Sequence, residues 1–269
     1  MSRQIKNIIA ITAFLICIGL INIAGQNIEI EIRGMNAFTF ILVIAVLLQV
    51  IFFIPSFLLK TEKYFDIVGS LTYIITISIA YFSVENKTMI DSIIYFYVMV
   101  WASRLGIYLF RRVRNDGKDI RFEKAKRHFF WFLQYWMGQA LWVSLTACAA
   151  IIAILSPEDN TLPVFAIVGM ALWLSGFAIE SISDYQKRVF RKENNPSESF
   201  IHTGLWARSR HPNYFGEITL WTGISVIALN TLTGIEYITL ISPVFVYILL
   251  TRMSGINLLE RIADERYGI

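Results

Sequence analysis

Charge, cysteine and histidine are all scarce in this chain, and each scarcity removes a class of protein. Only 16% of the 269 residues are Asp, Glu, Lys or Arg, against about a quarter in ordinary soluble domains, so a water-exposed surface of this size cannot be coated. The longest polar stretches, 111–128 and 184–212, leave no room for a soluble domain, and no internal repeat or low-complexity linker is present. Cys17 and Cys148 are the only cysteines. Both fall inside apolar runs and read as small buried hydrophobes, which excludes a disulfide framework. The three histidines, His128, His202 and His211, form no helical two-His pair, so no metal site is expected. There is no Gly-x-Gly-x-x-Gly after a strand pattern and no Gly-rich lysine loop, which excludes the common nucleotide-binding folds. The net charge of +4 sits in short loops rather than on a basic soluble face, so membrane lipids, not nucleic acid, are the expected partners.

Long apolar runs are present in abundance. A membrane-spanning helix needs roughly 20 mostly apolar residues, and eight stretches approach that: 7–24, 37–59, 65–83, 90–110, 129–155, 163–183, 213–230 and 236–252. Asp66 and Glu217 lie within or beside the third and seventh. Continuous runs of this length satisfy their backbone in lipid only as helices. The first run follows Arg3 and Lys6 but lacks a small-residue cleavage site, so it reads as a retained helix. Lys and Arg concentrate in alternate loops: Arg3 and Lys6, Lys60 and Lys63, 111–127, 187–210, and Arg261 with Arg266. The positive-inside rule then places both termini in the cytoplasm. The expectation is an all-α, polytopic bundle of about eight spans (seven also fits the hydropathy), forming one integral membrane domain over 1–269.

Polar side chains inside these runs mark the candidate site. Glu180, Asp184, Arg188 and Arg191 recur at spacings of four, four and three, so they share one helix face. Such a stripe serves either as a salt-bridge ladder at the water line or as a ligand edge, its carboxylates for hydroxyl and amide donors and its guanidiniums for phosphate. A second stripe, Asn213, Glu217 and Trp221, follows Pro212, a residue suited to a first helical turn. A carboxylate placed like Glu217 must be paired, protonated or ligand-bound. Arg104 lies inside the fourth run and either snorkels or pairs with Asp66 or a ligand.

These residues carry a resemblance. Ser183-Asp-Tyr185 with Arg188 and Arg191, Gly204-Leu-Trp206, Arg210-His-Pro-Asn-Tyr-Phe-Gly-Glu217 and Leu258-Leu-Glu260 resemble the steroid 5-alpha-reductase-like membrane proteins, in particular their bacterial branch of unassigned function. Tyr64-Phe-Asp66, Gly69-Ser70 and Trp101-Ala-Ser-Arg-Leu-Gly106 are weaker echoes. The resemblance runs from about residue 60 to the end and is most specific over 176–260. It implies a bundle whose cytoplasmic half holds NADPH beside a lipid-access cavity for an unsaturated, lipophilic small-molecule substrate. Asp184, Arg188, Arg191, Asn213, Glu217 and Arg252 match the family's cofactor-contacting positions, and Glu180, Arg210, His211, Tyr214 and Glu260 join them as candidates. Hydride would pass from the nicotinamide to an activated C=C bond, with a Tyr and an acid polarising the conjugated carbonyl.

Two departures stand out. Counted from Arg104, the family's proton-donating Tyr position holds Trp101, whose indole N–H donates a hydrogen bond but does not release a proton. Asp66 stands for the acidic partner, and Tyr64 is the leading replacement phenol, with Tyr95, Tyr97 and Tyr108 behind it. Relatives also continue beyond Arg266-Tyr-Gly268 with a basic aromatic tail. The rival reading is an S-adenosylmethionine-dependent methyltransferase of the isoprenylcysteine carboxyl or phospholipid type, which shares Arg210-His-Pro-x-Tyr and a later carboxylate near Glu260. Those enzymes lack the Asp184–Arg191 stripe and Glu217. A non-catalytic lipid-binding protein is the third.

Overall fold

The computed structural model describes residues 1–116, 119–156, 164–193 and 200–254. Eight α-helices carry the chain: α1 Arg3–Ile21, α2 Ala37–Leu58, α3 Phe65–Ser83, α4 Met89–Asp116, α5 Phe129–Leu155, α6 Val164–Glu193, α7 Pro212–Ala228 and α8 Ile241–Ile248. Among the described residues, seven helical stretches are long and apolar enough to cross a membrane. The remaining one, α7, has 17 residues, or about 25 Å, slightly under the roughly 30 Å of a hydrocarbon core. Ile9, Ile16 and Leu20 on α1, Leu47 and Ile54 on α2, and Ile167 and Leu174 on α6 are all exposed. Apolar faces this extensive are unstable against water and are the faces a bilayer covers. This is a multi-pass membrane protein.

The described chain divides into two compact units. The first comprises residues 1–161 with 231–239, and α5 is its centre: α1, α2, α3 and α4 each pack against it. From Ala147 to Leu155 every α5 side chain is buried, as expected of a helix that is apolar on all sides. Phe53, Phe65, Phe122, Phe132, Trp136 and Met137 form its aromatic core.

Side chains secure the helix ends here. A two-residue hairpin pairs Glu31–Ile32 (β1) with Met35–Asn36 (β2), a detail not foreseen in an all-α chain. Its turn residues Arg33 and Gly34 both have positive φ, the requirement of the tight turn that matches strand twist. Asn36 then caps α2, accepting from Thr39 N at 3.2 Å while donating to Gly25 O and Ile28 O. Thr88 and Asp91 cap α4 reciprocally: Asp91 accepts from Thr88 N at 2.8 Å, and Thr88 Oγ1 from Asp91 N at 3.1 Å.

The second unit comprises residues 162–230 and 240–269. Its spine is the antiparallel pair α6–α7, built on glycines seven residues apart on each helix. A Cβ at Gly176 would lie 2.5 Å from Leu220 N and 2.6 Å from Gly216 O, and one at Gly223 2.6 Å from Gly169 O. The backbones therefore touch, which only Gly permits. The last span changes winding along its length, from a 3₁₀ stretch (Gly234–Leu240) through α8 to a π-helical stretch (Leu249–Ser254).

Candidate cofactor site

The α6–α7 pair brings the two sequence stripes together. Glu180 and Asp184 are buried at 2% and 4% exposure, whereas Arg188 and Arg191, further along the same face, are exposed. The helix thus carries its carboxylates into the interior and its guanidiniums to the water. Glu180 owes its position to Gly216: a Cβ there would lie 2.6 Å from Glu180 N and 2.9 Å from its Cβ.

The Gly-Leu-Trp motif is a clip onto α6. Gly204 has φ +62°, and a Cβ on it would collide with the Gln186 side chain. With none there, Gln186 Oε1 accepts from Leu205 N at 3.1 Å, and Trp206 Nε1 donates to Ser183 O at 3.1 Å. Lys187 lies over the Trp206 ring at 4.9 Å. Residues 183–187 thereby fix where the chain re-enters, and α7 begins a few residues later beside Asp184. His211 precedes α7, Pro212 opens it, and Asn213 Nδ2 donates to Asp184 Oδ1 at 3.5 Å. Glu217, one turn on, is buried at 6% exposure. The His211 ring stacks on Tyr214 at 5.4 Å, Arg210 is exposed, and Arg252 lies in the π-helical stretch. Glu260 lies outside the described residues. The donor set suits an elongated ligand with hydrogen-bond donors at its inner end and phosphates at its outer end.

In the first unit, Asp66 opens α3 amid charge. Arg112 Nη2 donates to its Oδ2 at 3.5 Å, and Arg121 Nη2 lies 3.8 Å from its Oδ1. Arg121 also holds Asp119 at 2.6 Å, while Glu62 accepts from Asp119 N at 3.2 Å and from Lys126 at 2.7 Å. Burial alone would push the Asp119 carboxyl up. The hydrogen bonds and charge of Arg121, with the charge of Arg112, more than reverse this and leave it below its usual range. The basic loop after α4 is thus fastened to the start of α3. Tyr64, just ahead of α3, is half exposed.

Trp101 is buried and meets Tyr73 edge-on, with ring centroids 5.0 Å apart. Tyr73 is a phenol beside Trp101 that was not among the expected candidates. Its signal was the i, i+7 spacing from Asp66 on α3, which puts the two on one face about 10 Å apart. Asp66 and Trp101 are therefore not neighbours on the α3–α4 pair. Tyr95 stacks on Tyr81 at 4.3 Å, two turns beyond Tyr73.

With this geometry in hand, comparison with known proteins places the chain. Residues 52–269 match the family described as a protein of unknown function, DUF1295, and the chain belongs to that steroid 5-alpha-reductase-like family. It is 33% identical over 85 residues to the 3-oxo-5-alpha-steroid 4-dehydrogenase 1 of Mus musculus, covering 32% of each chain, and equally to that of Rattus norvegicus. The chain spans about a third of the length of these curated relatives. No solved structure matches it.

Proposed function

We propose that the protein is an NADPH-dependent membrane reductase acting on a C=C bond of a lipophilic, steroid-, isoprenoid- or lipid-like substrate. The observation that carries this reading is the α6–α7 stripe, with buried carboxylates Glu180, Asp184 and Glu217 inward and Arg188 and Arg191 at the water end. Arg188 and Arg191 would take phosphate oxygens, with Arg210 and Arg252 as further cations. Asp184, Asn213 and Glu217 would orient the carboxamide and hydroxyl donors, and His211 with Tyr214 would offer a stacking surface. When bound, the dinucleotide supplies hydride. In the first unit, Asp66 and Tyr64 at the start of α3 are the proposed acid and phenol. Family membership and the steroid dehydrogenase relatives support the reading. Both termini and the cofactor end would face the cytoplasm.

Charge-assisted contacts to phosphate contribute about 1.5–3 kcal/mol each. In detergent, NADPH should raise the melting temperature of the wild type, and replacing Arg188 and Arg191 by Ala should abolish the rise without lowering the ligand-free value. S-adenosylmethionine carries no phosphate and offers these guanidiniums only its single carboxylate. Stabilisation by S-adenosylmethionine but not NADPH would replace the reductase by a methyltransferase.

A further inference from the structure

At the end of the first unit where α1 and α5 both begin, cations gather without ion-pair partners. Arg3, Asn7 and Phe14 share one face of α1 at spacings of four and seven. Arg3 Cζ lies 4.2 Å from the centroid of the Trp131 ring, and a Cβ on Gly138 would lie 3.5 Å from the Phe14 ring. Both contacts climb the two helices in the same sense, so α1 and α5 run parallel with their N-terminal ends side by side. Phe129 of α5 meets Phe57, in the last turn of α2, with centroids 5.2 Å apart. That contact brings Lys60 and Lys63, in the loop after α2, to the same rim.

Arg3, Lys6 and Arg127 are exposed here, and among the described residues none of the three has a carboxylate partner. Lys126, by contrast, is held by Glu62 at 2.7 Å. Neither α1 nor α5 has an acid in its first turn, and no side chain caps α5, so the positive ends of two helix dipoles add to the cations. The Trp131 face fixes the plane of the Arg3 guanidinium and leaves its N–H edge free to donate. His128, just ahead of α5, stacks on the same indole with centroids 6.0 Å apart. Asn7, one turn along from Arg3, is only 9% exposed, and its carboxamide makes no hydrogen bond among the described residues. A braced guanidinium, an unengaged buried amide and two helix N-termini together make an anion site.

We propose that this rim binds the headgroup of an anionic phospholipid, with Arg3 as its anchor and Trp131 as the brace. Arg3 and Arg127 donate to phosphate oxygens, and the Asn7 amide supplies a further donor on the same face. Ile5, Ile8 and Ile9 of α1 and Phe129 of α5 are exposed beside the cations and offer the acyl chains an apolar bed. Cations that stand where such a face begins suit an amphiphile rather than free phosphate. Phosphatidylcholine carries the same phosphate, but its own ammonium cancels the charge that the rim answers. The proposal concerns the first unit alone and holds for whichever cofactor the second unit takes.

Dioleoylphosphatidylglycerol, dioleoylphosphatidylcholine and inorganic phosphate are titrated separately into the purified full-length protein in neutral detergent. Melting temperature reports stabilisation, and native mass spectrometry counts retained lipid. Phosphatidylglycerol should raise the melting temperature and stay bound, and the other two should do neither at equal concentration. Arg3→Gln should weaken phosphatidylglycerol binding about tenfold, the worth of one charge-assisted contact. Arg3→Lys should recover only part of that loss, because lysine keeps the charge without the stacked fork. Lys63→Gln removes the same charge elsewhere on the rim and should change binding by no more than about twofold. If Arg3→Gln lowers the ligand-free melting temperature, Arg127→Gln repeats the test from the α5 side. Equal stabilisation by phosphatidylcholine, equal losses in Arg3→Gln and Lys63→Gln, or stabilisation by inorganic phosphate alone overturns the proposal. A missing NADPH response with the lipid response intact would refute the reductase reading alone.

Discussion

Gly176→Ala tests whether backbone contact between α6 and α7 holds the cofactor site together. The added Cβ would sit 2.5 Å from Leu220 N, 2.6 Å from Gly216 O and 3.0 Å from Leu220 Cα. All three are backbone atoms and cannot rotate away, so the helices must part by about 1 Å to restore van der Waals contact. Overpacking of a close contact costs about 1–3 kcal/mol, and the absence of a movable side chain points to the upper end. Ala gains back about 1 kcal/mol of helix propensity over Gly. The net loss is about 2 kcal/mol, which in a protein of this size lowers the melting temperature by roughly 4–8 °C. Gly19→Ala on α1 is the control, since nothing lies within 4 Å of a Cβ there; it should be neutral or raise stability by up to about 1 kcal/mol. Melting curves in one detergent compare the two. Parting the helices also stretches the Asn213–Asp184 hydrogen bond, already 3.5 Å, so Gly176→Ala should blunt NADPH stabilisation as well. If Gly176→Ala melts at or above the wild-type temperature, as Gly19→Ala does, the pair is not held by backbone contact and the reasoning fails.

Glu217→Gln keeps the size of the side chain and removes its charge. If Glu217 accepts from the cofactor carboxamide, ligand-free stability should hardly change and NADPH binding should weaken by about 1–3 kcal/mol; a ligand-free collapse with an unchanged NADPH response would make it a structural residue. Reporters fused at Lys124 and Ile269 should both be cytoplasmic and one at Lys87 external, because four helices separate the first two; opposite signals at Lys124 and Ile269 would show that α7 does not cross. Asp119 has a folded pKa below its ordinary 3.8, so its stabilising contribution is complete above that value and is lost as pH falls through the lower folded one. The melting-temperature gap between wild type and Asp119→Asn should accordingly be full near about pH 6 and close below about pH 3.8, whereas parallel curves at all pH values would remove Asp119 from the clamp.

The sequence alone determined the elements and the class of protein, because both follow from local patterning. The runs 65–83 and 129–155 are the helices α3 and α5 residue for residue, since breaks in hydropathy mark their ends. The stripe from Glu180 to Arg191 needs only the 3.6-residue period, and α6 does continue as a helix through it to Glu193. Tertiary structure decided what no local period encodes. Glycines at 169, 176, 216 and 223 are visible in the sequence, but their pairing across α6 and α7 is a matter of which backbones can approach. The Gln186 clip on Gly204, the guanidiniums gathered on Asp66 and the meeting of Tyr73 with Trp101 join positions 18 to 55 residues apart. Gln49 and Gln139 read as polar interruptions in apolar runs. Only the packing of α2 and α5 on α3 sets Gln49 against Thr72 and Gln139 over Gly69.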